Sequence, residues 1–393
     1  MTEPAGPLRI AIVAGEESGD LLGADLVRSL ASLSGRPVEL VGVGGRHLEA
    51  LGLDSLFPSH EIALMGLTAV IRDLPRLVRR IGRTADHIVR QGPDCLVTID
   101  SPAFTMRVAK KVRAADPTIP ILKYVCPSVW AWGPWRARGM KPHVDHVLCL
   151  LPFEPAELER LDGPPGTFVG HRLAREPGLL AARAANTARR RGEGEPTLLL
   201  LPGSRKAEVS GLLDLFRDTV AGLDERGVRP RLILPTMPRL EELVKAKVAD
   251  WPRRPDISTD VAAKHDAFAK AEAALAASGT VTLELALAGV PLVSVYRSDP
   301  LVAWIGPKLI TTWTASLPNL VADRVVVPEY FNDQLRPQRL ARHLEQLLAE
   351  TPERAAQLSG FELVADRLTT DRPSGEIAAE TILRVIGERG GQR

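Results

Sequence analysis

Short apolar runs rich in Val, Ile and Leu alternate with longer helical patterns along most of the chain, and this rhythm restricts the fold more than any other feature. Runs at Arg9–Val13, Val38–Val43, Cys95–Ile99, Ile121–Val125 and His146–Leu151 are separated by helical spacing at Leu21–Leu33, Leu67–Arg90 and Ala103–Ala115. Strands that alternate with helices of this length build βα units and a parallel sheet. The rhythm fades over Leu173–Pro196, a stretch of Ala, Arg, Gly and Glu that reads as a short helix plus linker. It restarts at Thr197–Leu201, Arg231–Leu234, Ala273–Ala276 and Pro291–Tyr296, each followed by a helical stretch. The tail Pro337–Ile386 holds two or three helical stretches and no strand. The expected architecture is α/β, with two Rossmann-like, doubly wound domains over residues 1–172 and 197–336. A linker over 173–196 joins them, and helices over 337–393 fit packing either on the first domain or on a partner subunit in a homodimer. Two such domains facing each other would leave a cleft between the carboxyl ends of their sheets.

A length of 393 residues suits two domains of this kind. Charge is nearly balanced, 50 Lys+Arg against 48 Asp+Glu, which argues against a general nucleic-acid binder. The three cysteines, Cys95, Cys126 and Cys149, are odd in number and form no CxxC pair, so neither a zinc ribbon nor a secreted disulfide framework is expected. No signal-peptide pattern precedes Leu8, and the most apolar stretch, Ala273–Tyr296, is interrupted by Glu284, Gly289 and Pro291. It falls short of the ~18 uncharged apolar residues of a membrane span. A cytoplasmic location is expected.

Parallel sheets bind ligands where strands end and helices begin, so the strand-end loops are the places to look. Gly15-Glu16-Glu17-Ser18-Gly19-Asp20 follows the first run and opens a helix. Its two carboxylates would repel a diphosphate, so a hydroxyl-rich sugar suits it better than a dinucleotide. The bland alternative is a βα turn capped by Ser18 or Asp20. Asp100, at the end of Cys95–Ile99 with Pro102 starting the next helix, is placed as a general base or as a helix cap. The loop Cys126–Arg136 carries Trp130, Trp132 and Trp135, half of the six tryptophans within six positions, which suits a flat apolar wall or a loop-locking platform.

In the second half, Gly203, Ser204 and Arg205 open a helix directly after a strand, an arrangement that suits phosphate. Ser278-Gly279-Thr280 is a second helix start of the same type, and Glu284 lies one turn further along the same face, where a carboxylate can accept both hydroxyls of a ribose. The competing reading of Glu284 is a carboxylate favoured by the helix dipole. Together the two loops sketch a nucleotide-diphosphate site. No metal constellation, DxD, GxSxG or Walker A motif accompanies it, and no cofactor is expected: His143, Asp145 and His146 lack a third ligand.

One surface segment also stands out. On a helix over Leu67–Arg83, Arg72, Arg76, Arg79, Arg80 and Arg83 share one face, while Leu67, Val70, Ile71, Leu74, Leu77, Val78 and Ile81 share the other. Such a helix suits an anionic membrane surface, or buries its apolar face in the core, with Pro75 kinking it.

These loops occur in a known order: Gly15–Asp20, Gly42–Gly45, Met65-Gly66, Pro127–Trp132 (PSVWAW), Leu151–Glu154, Phe168–His171, Leu201–Arg205, Ala277–Glu284, Tyr296-Arg297 and Leu317–Asn319. The pattern spans essentially the whole chain and closely resembles the lipid-A-disaccharide synthase family of inverting GT-B glycosyltransferases. The resemblance implies transfer of 2,3-diacylglucosamine from UDP-2,3-diacylglucosamine to O6 of 2,3-diacylglucosamine 1-phosphate, giving a β-1,6 disaccharide and UDP. It implies a metal-independent enzyme, peripheral on the cytoplasmic face of the inner membrane of a Gram-negative bacterium. Asp100 would then be the essential carboxylate, the general base on the acceptor hydroxyl, and Glu16, lining the cleft, the second catalytic candidate. Arg205, with Gly203 and Ser204, would hold the diphosphate, and Gly279, Thr280 and Glu284 the donor's phosphate and ribose. Tyr296-Arg297 would face the uracil, with Asn319 and Asn332 beside the donor. Ser18, Met65, Gly66, Leu67, Val70, Ile71, Arg72, Arg76, Arg79, Arg80, Trp130 and Trp132 would face the acceptor and membrane.

The chain departs from the family pattern at several positions. The usual Asp-x-Pro-Asp-Phe-Asn is here Asp100-Ser101-Pro102-Ala103-Phe104-Thr105, without the second carboxylate or the Asn. Ala69 stands where Glu is usual, Cys126 where Ser is, and Asn332 where Gln is common, and Gly133-Pro134 follows PSVWAW in place of Arg. Retention of Asp100 leads us to expect activity, with acyl-chain selection most exposed to these changes. The rival readings are another GT-B enzyme acting on UDP-GlcNAc, or a catalytically weak, lipid-binding paralogue.

Overall fold

The computed structural model describes residues 6–63, 74–189, 195–298 and 309–390. The chain forms two compact units, one of residues Met1–His171 with Thr370–Arg393 and the other of Arg172–Thr369.

The first unit is built on a six-stranded parallel sheet: β1 (Leu8–Ala14), β2 (Val38–Val43), β3 (Cys95–Ile99), β4 (Ile121–Tyr124), β5 (His146–Cys149) and β6 (Gly166–Phe168). The strand order is β2-β1-β3-β4-β5-β6, so the chain reverses its direction of travel between β1 and β3. Register is set there by Ile10 opposite Cys95 through Ala14 opposite Ile99. One face of the sheet packs on Leu22, Leu26 and Leu30 of the helix Glu17–Ser34. The other packs on Leu77, Ile81, Phe104, Val108 and Val112 from the helices Leu74–Gln91 and Pro102–Ala115.

The second unit carries β7 (Thr197–Leu201), β8 (Arg231–Pro235), β9 (Asp256–Ser258), β10 (Ala273–Ala277), β11 (Leu292–Tyr296) and β12 (Glu329–Phe331). Its order is β12-β11-β10-β7-β8-β9, again all parallel, with the reversal between β7 and β10. Both sheets are doubly wound, and each places its reversal at the strands whose loops the sequence singles out.

Three short edge strands, β6, β9 and β12, carry no apolar run long enough to announce them, and pairing with a neighbour makes each one. The linker stretch is a 3-10 turn, Arg172–Arg175, and a helix, Pro177–Ala188, that belong to the second unit. Asn186 fastens that helix by donating to the Phe268 and Ala288 carbonyls at 3.0 and 2.9 Å. The tail divides. Helices Pro337–Leu348 and Pro352–Leu368 stay with the second unit, while Ser374–Gly390 lies on the helix Glu17–Ser34 of the first and buries Ala378, Ala379, Ile382 and Val385. A Cβ on Gly375 would sit 2.7 Å from Ser29 Oγ, so the close approach of these two helices requires glycine there.

Among the described residues, no helix is long and apolar enough to cross a membrane.

Candidate functional site

In the first unit, Ala14 and Ile99 are registered partners at the ends of β1 and β3, which places Gly15 and Asp100 side by side at the reversal point. A Cβ on Gly15 would lie 2.5 Å from Ile62 Cγ2 and 2.9 Å from Ser101 Oγ, so this glycine lets the two loops touch. Asp100 and Ser101 both adopt left-handed backbone, φ 48° and 40°, a conformation that costs a non-glycine residue of order 1–3 kcal/mol. Asp100 Nα–H donates to the Tyr124 carbonyl at 3.1 Å. The Asp100 carbonyl accepts from Thr105 Oγ1 at 2.7 Å and from Lys123 Nζ, whose ammonium also donates to Thr105 Oγ1 at 3.2 Å. Asp100 is thus gripped through its backbone, and its partly exposed side chain does not make these contacts.

The Gly15–Asp20 loop divides by role. Glu16 and Ser18 are exposed, whereas Asp20 is buried and caps the next loop, accepting from Gly45 and His47 N–H at 2.8 Å each and from Leu48 N–H at 3.3 Å. Neither residue expected to cap its own helix does so, since Asp20 serves the following helix instead.

The tryptophan loop has one root and two exposed rings. Trp130 packs edge-on against Phe153, 5.1 Å between centroids, and donates Nε1–H to Glu154 Oε1 at 3.2 Å. Glu154 is buried, and burial pushes its carboxyl up to about 7, opposed by the N–H groups of Leu150, Leu151 and Trp130 that it accepts. Trp132 is 48% exposed with the Arg136 guanidinium 3.6 Å over its ring, and Trp135 is 65% exposed. Cys126, Cys149 and Glu154 bring three potential metal-ligand atoms within 4.8 Å of one another, all buried. Glu154 already accepts three N–H groups, and the thiols contact the carbonyls of Pro127 and Val147, so this group reads as a satisfied internal network.

On the helix Leu74–Gln91, Leu77 and Ile81 are buried as expected, but Val78 is 56% exposed. Arg80 turns inward, pairing with Glu61 at 2.5 Å and stacking over Phe57 at 4.2 Å. Arg76 also reaches Glu61, at 2.7 Å, while Arg79 and Arg83 are exposed. A helical wheel ranks residues by angle alone, and the Glu61 carboxylate and the Phe57 ring outside the helix pull Arg80 off the polar face. Pro75 lies at the edge of the described part of this helix, so the kink expected there involves residues outside the described ones. Met65, Gly66, Leu67, Ala69, Val70, Ile71 and Arg72 lie outside the described residues.

In the second unit, Leu201 of β7 pairs with Ala276 of β10, so the Pro202–Arg205 and Ser278–Thr280 loops leave adjacent strands at the reversal point. Gly203 has φ 108°, and a Cβ there would sit 2.5 Å from Glu208 Oε2. Glu208 Oε2 accepts the N–H groups of Ser204 and Arg205 at 3.1 and 3.2 Å, and Oε1 accepts from Arg205 Nη1 at 2.7 Å. The glycine therefore makes room for an internal carboxylate at the helix start, a partner the motif alone does not reveal. Gly279, at φ 153° and ψ −164°, occupies backbone space open only to glycine, and no atom of the described residues lies within 4 Å of where a Cβ would be. Among the described residues, the start of the helix Thr280–Leu287 is thus left open at this glycine. Glu284 is paired with Lys264 of the helix Val261–Lys270.

Tyr296 and Arg297 are exposed at the end of β11. Tyr296 meets Phe331 edge-on at 6.2 Å, and Arg297 donates to the Gly211 carbonyl. Asn332, left-handed at φ 40°, accepts from Ser298 N–H at 3.0 Å and Oγ–H at 3.1 Å and so pins the segment that carries Tyr296 and Arg297. Asn319 is 1% exposed: its Oδ1 accepts from Val326 and Val327 N–H, and its Nδ2 donates to Val327 O and the Thr314 hydroxyl. Its hydrogen bonds go to the protein, which makes it a brace for the segment that leads into β12. Lys123, Glu208 and Lys264 escape a motif search. The available signal for Lys123 is a lysine inside the otherwise apolar run Ile121–Val125.

Solved structures share this fold at low identity. A UDP-GlcNAc 2-epimerase from Neisseria meningitidis superposes with a TM-score of 0.60 at 11% identity, over 97% of this chain and all of that one. MurG of Acinetobacter baumannii superposes with a TM-score of 0.56 at 14% identity, over 96% and 99%. These neighbours identify the fold as GT-B-like. Sequence relatives are far nearer. Lipid-A-disaccharide synthase of Rhodopseudomonas palustris (strain HaA2) is 48% identical over 380 residues, 96% of each chain. That of Rhodospirillum centenum is 41% identical over 386 residues, 98% of this chain and 96% of the relative. The family model described as lipid-A-disaccharide synthetase matches residues 10–378. With the motif order, the paired strand-end loops and matches of this length in agreement, the chain belongs to the lipid-A-disaccharide synthase family.

Proposed function

We propose that this protein is a lipid-A-disaccharide synthase that transfers 2,3-diacylglucosamine from UDP-2,3-diacylglucosamine to O6 of 2,3-diacylglucosamine 1-phosphate. Asp100 takes the proton from the acceptor O6 hydroxyl as O6 bonds to the anomeric carbon. The bond from that carbon to the UDP oxygen breaks with inversion, giving the β-1,6 disaccharide, and UDP leaves with the electron pair. The open helix start at Gly279-Thr280 and the Arg205 guanidinium meet the diphosphate charge, and Glu284 accepts from the ribose hydroxyls. With that positive charge supplied by the protein, the reaction needs no divalent metal. Acylated substrates reside in a bilayer, and the exposed Arg79, Arg83, Val78, Trp132 and Trp135 support peripheral binding to an anionic membrane surface.

The observation that carries this reading is Asp100: a carboxylate at the sheet's reversal point, its backbone held in a strained conformation by hydrogen bonds to its carbonyl and N–H. Such strain persists where surrounding structure enforces it and clusters at active sites. The test is UDP release from UDP-2,3-diacylglucosamine with and without the 1-phosphate acceptor, in the presence of EDTA. The expected result is acceptor-dependent release that survives chelation and collapses in Asp100→Ala. Absence of release with several acyl lengths from folded protein would turn the reading to a lipid-binding paralogue.

A further inference from the structure

We propose that Lys123 is a positioning residue for the reaction, holding the Asp100 carboxylate in its working direction by donating from its ammonium to the Asp100 backbone carbonyl. This rests on the reading of Asp100 as the base.

Lys123 lies on β4 with 0% exposure. Among the described residues its ammonium makes no ion pair. Its donors go to the Asp100 carbonyl and to the Thr105 hydroxyl. Thr105 Oγ1 completes the arrangement by reaching the Asp100 and Ser101 carbonyls at 2.7 and 3.1 Å. A buried ammonium is expensive, and an apolar side chain of similar length would pack in its place at lower cost. Here the expensive group sits on the carbonyl of the first of two consecutive left-handed residues, the backbone that aims the proposed base. The Asp100 and Ser101 conformations are costly, and the Lys123–Thr105 pair is the part of their support built from side chains. Removing that support frees Asp100 to relax toward ordinary backbone angles and swings its carboxylate away from the acceptor hydroxyl. Burial lowers the Lys123 amine to about 7, while the nearby Asp100 carboxylate pulls it up, and the ammonium and the neutral amine both carry an N–H for the Asp100 carbonyl.

The experiment measures kcat and both KM values for Lys123→Met, Asp100→Asn and the double variant, with thermal melts to establish folding. Lys123→Met is expected to lower kcat about 10- to 100-fold with both KM values within about threefold, the mark of a group acting on the transition state. Asp100→Asn is expected to lose activity about 1,000-fold, and the double variant to be no slower than Asp100→Asn alone, because Lys123 acts through Asp100. A folded Lys123→Met with kcat within threefold of the parent overturns the proposal, as does a double variant slower than Asp100→Asn by the full Lys123→Met factor. Near-parental activity in Asp100→Asn overturns the base reading itself, and the proposal with it. If Lys123→Met does not fold, Thr105 carries the test: Thr105→Val is expected to slow kcat about 10-fold and Thr105→Ser to restore it, and equal rates for the two overturn the proposal.

Discussion

The Glu208 carboxylate closes the turn that carries Arg205, accepting the Arg205 guanidinium at 2.7 Å on one oxygen and the Arg205 backbone N–H at 3.2 Å on the other. Glu208 is therefore an internal anion at a helix start proposed for a diphosphate. Arg205→Ala is expected to weaken UDP binding about tenfold or more, as measured by calorimetric titration. Glu208→Ala is expected to cost about 1 kcal/mol of stability through loss of the carboxylate that accepts the Ser204 and Arg205 N–H groups, read as a lower apparent melting midpoint. Unchanged UDP affinity in Arg205→Ala would remove the residue from the donor site.

Ser101 pays for its left-handed backbone without any compensating cap hydrogen bond from its side chain. Ser101→Gly should stabilise the first unit by about 1 kcal/mol, because glycine adopts that conformation without steric cost. A raised melting midpoint with retained activity is the expected outcome. A lowered midpoint would show that the Ser101 hydroxyl contributes more than its backbone costs.

Lys123 gives a pH dependence of definite sign. Its amine falls from 10.5 to about 7 on folding, chiefly by burial, with Asp100 and Cys126 as the charged and titratable groups facing it. Between those two values the unfolded amine holds a proton that the folded one has released, so this group makes stability rise with pH across the window and leaves it flat below. Urea melts of the parent and Lys123→Met from pH 6.5 to 10 should show the parent gaining on the variant by up to about 1.4 kcal/mol per pH unit. A constant difference across that range would show that Lys123 does not titrate there.

The three tryptophans of one loop should separate by role. Trp130→Phe removes the N–H donated to Glu154 and should cost about 1–3 kcal/mol of stability, since the acceptor stays buried. Trp132→Ser and Trp135→Ser should leave stability within about 0.5 kcal/mol while reducing sedimentation with anionic vesicles. Equal stability losses from all three would mean that the exposed rings serve the fold.

Much of this molecule was legible in the chain. Val38–Val43, Cys95–Ile99 and Thr197–Leu201 are strands with the bounds that their apolar runs suggest; the last two are fully covered parallel strands, which announce themselves by composition. The short edge strands Gly166–Phe168, Asp256–Ser258 and Glu329–Phe331 were not legible, since three residues, none of them fully buried, carry no periodicity. At the candidate site, Asp100, Arg205 and Glu284 could be named from their places at strand ends and helix starts. Lys123, Glu208 and Lys264 could not, because each matters through a partner brought to it by folding or by a helical turn.

Local order along the chain determined the two doubly wound units, the strand-end loops and the family, since turn residues and hydrophobic period act over a few positions. Tertiary structure alone decided which loops meet. Strand order set Gly15 beside Asp100 and joined the Gly203 and Gly279 loops at the second reversal. It also decided that Asp20 caps a neighbouring loop, that Arg80 turns inward and that Asn319 braces the segment that leads into β12. The physical reason is the same in each case. A polar side chain goes to whichever unsatisfied group folding brings within reach, and no local sequence pattern names that group.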